Sequence, residues 1–536
     1  MPSSQPTTQP TRLATIRTAA LLTLVAIPAS TVRADWPTTP DDSITLGIAE
    51  ATFFGSRQTL AVIETDAETN TWIAWQQSYC GGFDEGVVRL NRIDRDGTLF
   101  NETGAAVQPD PTCGFVVPPL LVPTGNAVAV TRGLSDLSQD ALNAYEQNAA
   151  PIWGPGFTTD SPVAIQHLAA LPSGDLIAAS IDGPSIRLDR LNAQGSPVWD
   201  TPTILASPSG SNFAIRAIVP LNTARPDDGF YLVWDSPLAY TRQAFIQRID
   251  TNGQPVWAQP INPMPAPPTD GISRHTPPVA IATTHGRLLY VWTKGFETAT
   301  TPAPIRYQIV NPDASLAFPI EGARLTDTPE RQFDPIVRRD GSTGEFSIVF
   351  RAGLFDGQSL RAQRLDADGL RLFSEHGVDI TPIPLASPFE AGLIQGELHT
   401  LSLATTSEAE TTLNAHQVTD TQSIRGPWPV ARTGSVFSIA AAEVSQGLIV
   451  TWQQDGPELQ DTLHAARLNP AGRLGAGQCN HADISAPYYV LDLSDIQSFI
   501  PAFLNDDPAA DFADPSGILD LADVTAFVSA FNAGCF

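Results

Sequence analysis

Two sets of aspartates near the C-terminus have the types and spacing that hold a hard cation. Asp483, Asp492 and Asp495 recur as Asp511, Asp520 and Asp523, each offset by 28 positions, and Asp514 adds an acid to the second copy. Carboxylates gathered by one loop and completed by an acid in the first turn of the next helix are how proteins coordinate calcium. Helix capping is the competing explanation, because an N-cap Asp with an acid three residues on satisfies the first amides and the positive helix end. Capping accounts for Asp492, Asp495, Asp520 and Asp523. It does not account for Asp483 and Asp511, nine residues upstream at identical spacing. The metal reading is therefore the working expectation.

Two helices must position these loops. Ile496, Phe499, Ile500 and Phe503 follow the i, i+3, i+4, i+7 period of one helix face, and Val524, Phe527, Val528 and Phe531 repeat it. Packed face to face, the two helices would bury four phenylalanines, a thin core for an independent unit. Cys479 and Cys535 bracket the duplication. A bridge between them would close a long loop and contribute about 4 kcal/mol. Cys80 and Cys113 form the other pair by proximity, although four cysteines allow three pairings. No Cys-x-x-Cys is present, which removes the usual zinc-ribbon and redox motifs.

The duplicated segment resembles a dockerin, the loop–helix calcium module by which secreted bacterial proteins attach to a cohesin-type receptor. It is most similar to the variant with a Gly-Cys flank, here Gly534-Cys535. Ala482-Asp483, Pro487, Leu491-Asp492 and Asp495 match its repeat, as do Asp511, Pro515, Leu519-Asp520 and Asp523. The resemblance covers only about residues 479–536. It implies an EF-hand-like fold, calcium as cofactor and a cohesin-like receptor as partner. The usual loop carries Asp, Asn and Asp at positions 1, 3 and 5 with the last acid at 12. Here the last acid falls one position later, Pro487 or Pro515 takes the fifth position, and Ser485 or Ala513 the third. Asp514 can replace a missing ligand in the second loop, and Ala486 cannot in the first. Two unequal sites are expected, with affinities of about 10⁻⁴–10⁻³ M, as in other extracellular modules.

The body preceding this module is a repeat array. Short β-rich runs ending in an aromatic recur every 50 to 60 residues: Trp72–Trp75, Tyr231–Trp234, Leu289–Trp292, Phe346–Phe350 and Leu448–Trp452. Weaker copies begin at Asn126, Asp175 and Leu398. Each unit also has a strand that runs into a tight turn, as in Arg92-Ile-Asp-Arg-Asp-Gly97, Arg190-Leu-Asn-Ala-Gln-Gly195 and Arg248-Ile-Asp-Thr-Asn-Gly253. Arg364–Gly369 and Arg467–Gly472 repeat the pattern, and degenerate versions lie near Gln147, Asn311 and Thr419. Glycine after Asp or Asn supplies the positive φ that such turns need. An aromatic often follows, at Trp153, Trp199 and Trp257. A steady period near 50 with several strands per unit, and no helical period between them, predicts an all-β propeller of seven or eight blades. The expected organisation is a signal peptide over 1–34, a propeller over 35–475 and the dockerin-like domain over 476–536.

The repeated Trp and Phe are read as wedge filling between blades, and Asp94/Asp96 and Asp366/Asp368 as turn chemistry. No nucleophile elbow, zinc-protease helix or phosphate-binding loop is present, and the eight histidines are scattered singly. No catalytic residue is assigned. The propeller is expected to bind a glycan or a protein. A propeller glycoside hydrolase or lyase is the alternative, since its two carboxylates need no linear motif.

Residues 1–34 have the basic, apolar and small-residue regions of a secretory signal: Arg12 and Arg17, then Ala19–Ile27, then Val32-Arg-Ala34. Their apolar run is too short to span a bilayer. The formal charge of -27 becomes -30 once the three arginines of that segment are set aside. Such a surface argues against nucleic acid and anionic membranes as partners. A secreted or cell-surface location is expected.

Overall fold

The structure is a computed structural model. It describes most residues from Trp36 to Ala533. Residues 1–35 and 534–536 lie outside the description, as do internal stretches that include 51–57, 79–85, 108–115, 135–140, 222–228, 265–277, 294–302 and 476–481. All four cysteines and the expected signal segment fall in those parts.

The described chain from residue 44 to 468 forms eight antiparallel sheets. Their first strands are Gln58–Glu64, Leu121–Thr124, Ile165–Ala170, Ala214–Pro220, Val279–Ala282, Gln332–Arg339, Phe389–Ile394 and Val436–Val444. Each of these strands neighbours the next, and the last returns to the first, so the sheets are blades of a closed β-propeller. Blades are numbered here from the N-terminus. The strand Ile44–Glu50 pairs antiparallel with Gln460–Leu468, so the start of the chain completes the eighth blade. Closing the ring this way leaves no long inner edge open to another chain.

Every β-rich run read from the sequence is the second strand of a blade, including the weak ones at Ala127–Leu134, Leu176–Asp182 and Glu397–Ser407. Departures have local causes. Blade 2 has its first strand broken into Val116–Val117 and Leu121–Thr124, both paired with Ala127–Leu134. Pro119 sits in the gap and cannot donate to the ladder. Blade 4 has three full strands, and its outer position is reduced to one bridge between Ile246 and Ile261 in a proline-rich segment.

The recurring turns act as one device. In the first, the Gly97 amide donates to Asp94 O at 3.1 Å, and Asp94 Oδ1 accepts from the amides of Asp96 and Thr98 at 3.0 and 2.8 Å. Asn192, Asp250 and Asp366 repeat this pattern. The aspartates here are turn formers, as the sequence reading expected. The degenerate turns at Asn311 and Thr419 keep the same backbone bonds, with Ala314 and Gln422 at φ 72° and 61° in place of glycine.

The tryptophans after three of the turns belong to the junction with the following blade. Trp153 Nε1 donates to Ala193 O at 2.9 Å, Trp199 Nε1 to Thr251 O at 2.9 Å and Trp257 Nε1 to Pro312 O at 2.8 Å. Each acceptor is the second residue of the neighbouring turn. Trp36 does the same for Arg95 O at 2.8 Å. The second-strand aromatics Trp72, Trp75, Trp234, Trp292 and Trp452 are fully buried, in apolar clusters shared between adjacent blades. At roughly 25 cal/mol per Å², such side chains supply much of the inter-blade stability.

Beyond Leu468 the two expected helices form, α1 at Leu493–Leu504 and α2 at Leu521–Ala533. Their facing phenylalanines, Phe499 and Phe527, stack with ring centroids 4.0 Å apart. The expected apolar face is too wide. Ile500 and Val528 are 51% and 48% exposed, and the core instead takes Ala482, Ala510 and Phe512 from the loops. Two helices alone cover a narrow seam, so the loops close its sides.

Candidate functional site

Asp495 and Asp523 sit in the first turns of α1 and α2, both essentially buried. Asp495 Oδ1 accepts from the amides of Ile484 and Ser485, both at 2.9 Å, and from Ser485 Oγ at 3.4 Å. Asp523 Oδ1 accepts from the amides of Phe512 and Ala513 at 2.7 and 2.8 Å. In each repeat the donors are the two residues that directly follow Asp483 or Asp511. The helix acid therefore ties down the start of its own loop.

The capping explanation holds for part of the second repeat. Asp520 Oδ1 accepts from the Ala522 amide at 2.6 Å, and Asp523 Oδ2 accepts from the Asp520 amide at 2.8 Å. This is a reciprocal cap, with the N-cap carboxylate on the second helical amide and the acid at the third helical position on the N-cap amide. The Asp520 amide above all, with those of Ala513 and Phe512, holds the Asp523 carboxyl below the usual carboxylate range. An ionised, amide-oriented carboxylate is also what a cation needs from its last ligand. Asp483, Asp492, Asp511 and Asp514 lie outside the described residues. Among the described residues no three His, Cys, Asp or Glu side chains converge on a common point. By residue type, the segments 483–495 and 511–523 contain aspartate and serine and no cysteine or histidine, the composition of an oxygen-donor loop.

Two apolar pairs on this module left no signal separable from core periodicity. Leu493 and Leu521 are 64% and 77% exposed, and Ile500 and Val528 are the pair already noted. Each pair is related by the same offset of 28 as the aspartates. The duplication thus presents matched apolar positions outward as well as inward.

The propeller's axis holds a second polar cluster. A cavity of about 550 Å³ is bounded by first strands of blades 4, 5, 6 and 8, with Arg338, Arg339 and Glu443 among its lining residues. Arg338 donates from Nη2 to Glu390 Oε1 at 2.8 Å and from Nε to Ala391 O at 2.9 Å, and its Nε lies 3.7 Å from Glu443 Oε1. Glu443 also accepts from the Leu393 amide at 2.9 Å. One guanidinium thus straps blades 6, 7 and 8 together. Burial pushes both Glu390 and Glu443 above the usual carboxylate range, against the pull of Arg338. These residues come from three blades, so no linear pattern announces them.

Among the described residues the histidines do not assemble a catalytic set. Burial pushes His167, His399 and His464 down to about 4, with Arg216 adding to the effect at His167. His464 stacks on Trp452 and bonds Ser43 Oγ and Thr462 Oγ1, each at 2.8 Å. They are neutral packing residues.

No protein-family model and no curated protein matches the chain by sequence. Solved structures with a similar arrangement include the Dos1 propeller, 10% identical with TM-score 0.43, covering 79% of this chain and 95% of that one. A puromycin hydrolase is 14% identical with TM-score 0.40, covering 79% and 62%. A polysaccharide lyase is 9% identical with TM-score 0.41, covering 65% and 89%. The chain spans about half, 49%, of a prolyl endopeptidase that it also resembles, at 10% identity and TM-score 0.38. Similarity this low carries nothing about activity. Among the described residues, no helix is long and apolar enough to cross a membrane.

Proposed function

We propose that this is a secreted binding propeller, attached to an extracellular or cell-surface assembly through a calcium-stabilised, dockerin-like module at residues 476–536. One observation carries the reading. In both repeats the first-turn acid accepts from the two amides that follow the loop's leading aspartate in sequence, Ile484 and Ser485 or Phe512 and Ala513, so the start of each loop is tied to the first turn of its helix. Capping alone has no use for that second clamp. Asp511, Asp514 and Asp523 would hold the better-supplied calcium, and Asp483 and Asp495 the poorer one. Bound calcium would fix the loops and hence the outward positions of Leu493, Leu521, Ile500 and Val528. Those four would meet a cohesin-type receptor.

The propeller would present a glycan or protein ligand to that assembly. A hydrolase or lyase is the other reading, and the raised Glu390 and Glu443 are what favours it. Both are tethered to one guanidinium, whereas glycoside hydrolysis needs two carboxylates facing each other across the sugar.

Calorimetric titration of the full chain with calcium tests the anchor. Heat of binding is expected in the parent and is expected to fall sharply in Asp511→Ala. Binding that is unchanged by that substitution returns the acids to capping. Capture of a partner from an envelope fraction should then require calcium and fail in chelator, and capture indifferent to chelator sinks the docking role.

A further inference from the structure

The first strands of blades 3, 4, 6 and 8 each carry a bulge near their starting end. Bulges near a barrel rim re-aim side chains, often beside a site. Two of them hold the same ion pair with its polarity exchanged. In blade 4 the bulge residue is Arg216, and it meets Asp235, which follows the buried Trp234, with Nε to Oδ2 at 2.9 Å. In blade 6 the bulge residue is Asp334, and it meets Arg351, which follows the buried Phe350, with Nε to Oδ2 at 3.3 Å.

The exchange decides which charge faces water. Asp235 is fully buried, so blade 4 hides its carboxylate. In blade 6 the guanidinium is the buried partner, at 6%, and the Asp334 side chain is 57% exposed. Asp334 holds this position at φ 53°, directly before Pro335. A residue before proline is steered to extended backbone, and a left-handed one there is strained. Strain of this kind persists where the surroundings over-determine it, and such places cluster at ligand sites.

A cavity of about 320 Å³ opens at this point, lined by Arg331, Phe333, Asp334, Arg351, Gln358 and Leu385, with Gly353 closing one wall. That size is within the range of small-ligand sites, roughly 300–1,000 Å³. Arg331 lies over the Phe333 ring at 5.3 Å and Arg351 over Phe389 at 5.0 Å. Gln358 Oε1 accepts from Arg351 Nη1 at 3.3 Å, which orients its amide group. The lining thus combines an exposed carboxylate acceptor, guanidinium and amide groups, and apolar surface.

We infer that this pocket is a saccharide site, taking a neutral sugar with adjacent hydroxyls. The inference rests on the reading of the propeller as a binding face. The Asp334 carboxylate would accept from two hydroxyls in charge-assisted bonds, Arg331 would donate to a ring or hydroxyl oxygen, and Phe333 and Leu385 would meet the C–H face. The exposed carboxylate disfavours an anionic ligand, and the two guanidiniums disfavour a cationic one.

The full chain would be screened by glycan array, then by calorimetry, against neutral cello-, xylo-, manno- and arabino-oligosaccharides, with oligogalacturonate alongside. At least one neutral class is expected to bind. Asp334→Asn keeps a residue that tolerates positive φ and removes the charge. It is expected to weaken binding at least tenfold, as is Arg331→Ala at the rim, with melting temperatures near that of the parent. Neutral-sugar binding that survives both substitutions places the glycan elsewhere and overturns this site while leaving the propeller a binding face. Binding of no saccharide, or of the uronate alone, overturns the inference outright. Neither result bears on the calcium anchor.

Discussion

His399 shows what single residues contribute to the propeller. It is fully buried, its Nδ1 lies 3.1 Å from Glu397 O, and burial holds its folded pKa at about 4. Unfolded, it would titrate near 6.5. Between those values the unfolded chain binds a proton that the folded chain refuses. The stability it contributes is therefore complete above about 6.5 and is lost as pH falls towards 4. At pH 5 the loss is on the order of 2 kcal/mol for each such histidine, and His167 and His464 add to it in the same direction. Glu390 and Glu443 act oppositely, because their raised folded values mean that protonation relieves a burial penalty as pH falls. Urea unfolding at pH 7.5 and 5.0 should show a net loss of stability in acid. His399→Gln should reduce that loss by about 2 kcal/mol. An unchanged difference between the two pH values would mean that His399 is protonated in the folded chain. Nothing in the sequence around His399 marks it as buried, since the alternation of its strand is weak.

At the scale of elements, the turn is the unit that the sequence spells most clearly. Gly195 has φ 76°, and a Cβ built there would lie 2.4 Å from the Trp153 ring. Gly174 has φ 86° with nothing within 4 Å of the same point. Both substitutions to Ala strain the backbone by about 1–2 kcal/mol. Only Gly195→Ala also drives a methyl into the aromatic of the preceding blade, adding about 1–3 kcal/mol. Denaturant midpoints should therefore fall further for Gly195→Ala than for Gly174→Ala, and equal losses would show that Trp153 gives way freely. The same contrast explains what was legible. Turn residues and strand aromatics are local signals repeated in register, so blade positions could be read even through Asn311 and Thr419. Arg338, Glu390 and Glu443 meet only after three blades have closed, and no short-range rule brings them together. The outward turn of Ile500 and Val528 was missed for a related reason. Periodicity marks a stripe, and how much of it is covered depends on the loops at Ala482, Ala510 and Phe512.

Across the whole molecule, the ring depends on a strand that is the farthest in sequence from its partner. Ile44–Glu50 pairs with Gln460–Leu468, and Trp36, Ile44 and Leu46 are buried in a cluster with Ile73 and Trp75 of blade 1 and Ile449 and Leu463 of blade 8. That cluster bridges the seam where the circle meets itself. Arg467 and Trp36 reinforce it by donating to the same carbonyl, Arg95 O, at 3.0 and 2.8 Å. Removing residues 36–50 deletes three buried apolar side chains, at about 1.5–3 kcal/mol each, and exposes one edge of Gln460–Leu468. The expected result is a lower urea midpoint together with concentration-dependent association through the freed edge. Supplying a peptide of residues 36–50 in trans should restore the monomer on a sizing column. If the truncated chain stays monomeric and keeps its midpoint, the seam is held by inter-blade packing alone. In that case the strand is a cover on the edge and contributes little to closure. The junctions between blades 2 and 3, 3 and 4, and 4 and 5 carry the same tryptophan-to-turn bond that Trp36 makes at the seam, but the seam is the one junction where covalent continuity is missing. A strand from the opposite end of the chain is the least costly replacement for it, because its ladder bonds and its buried Ile44 and Leu46 act on the same sheet.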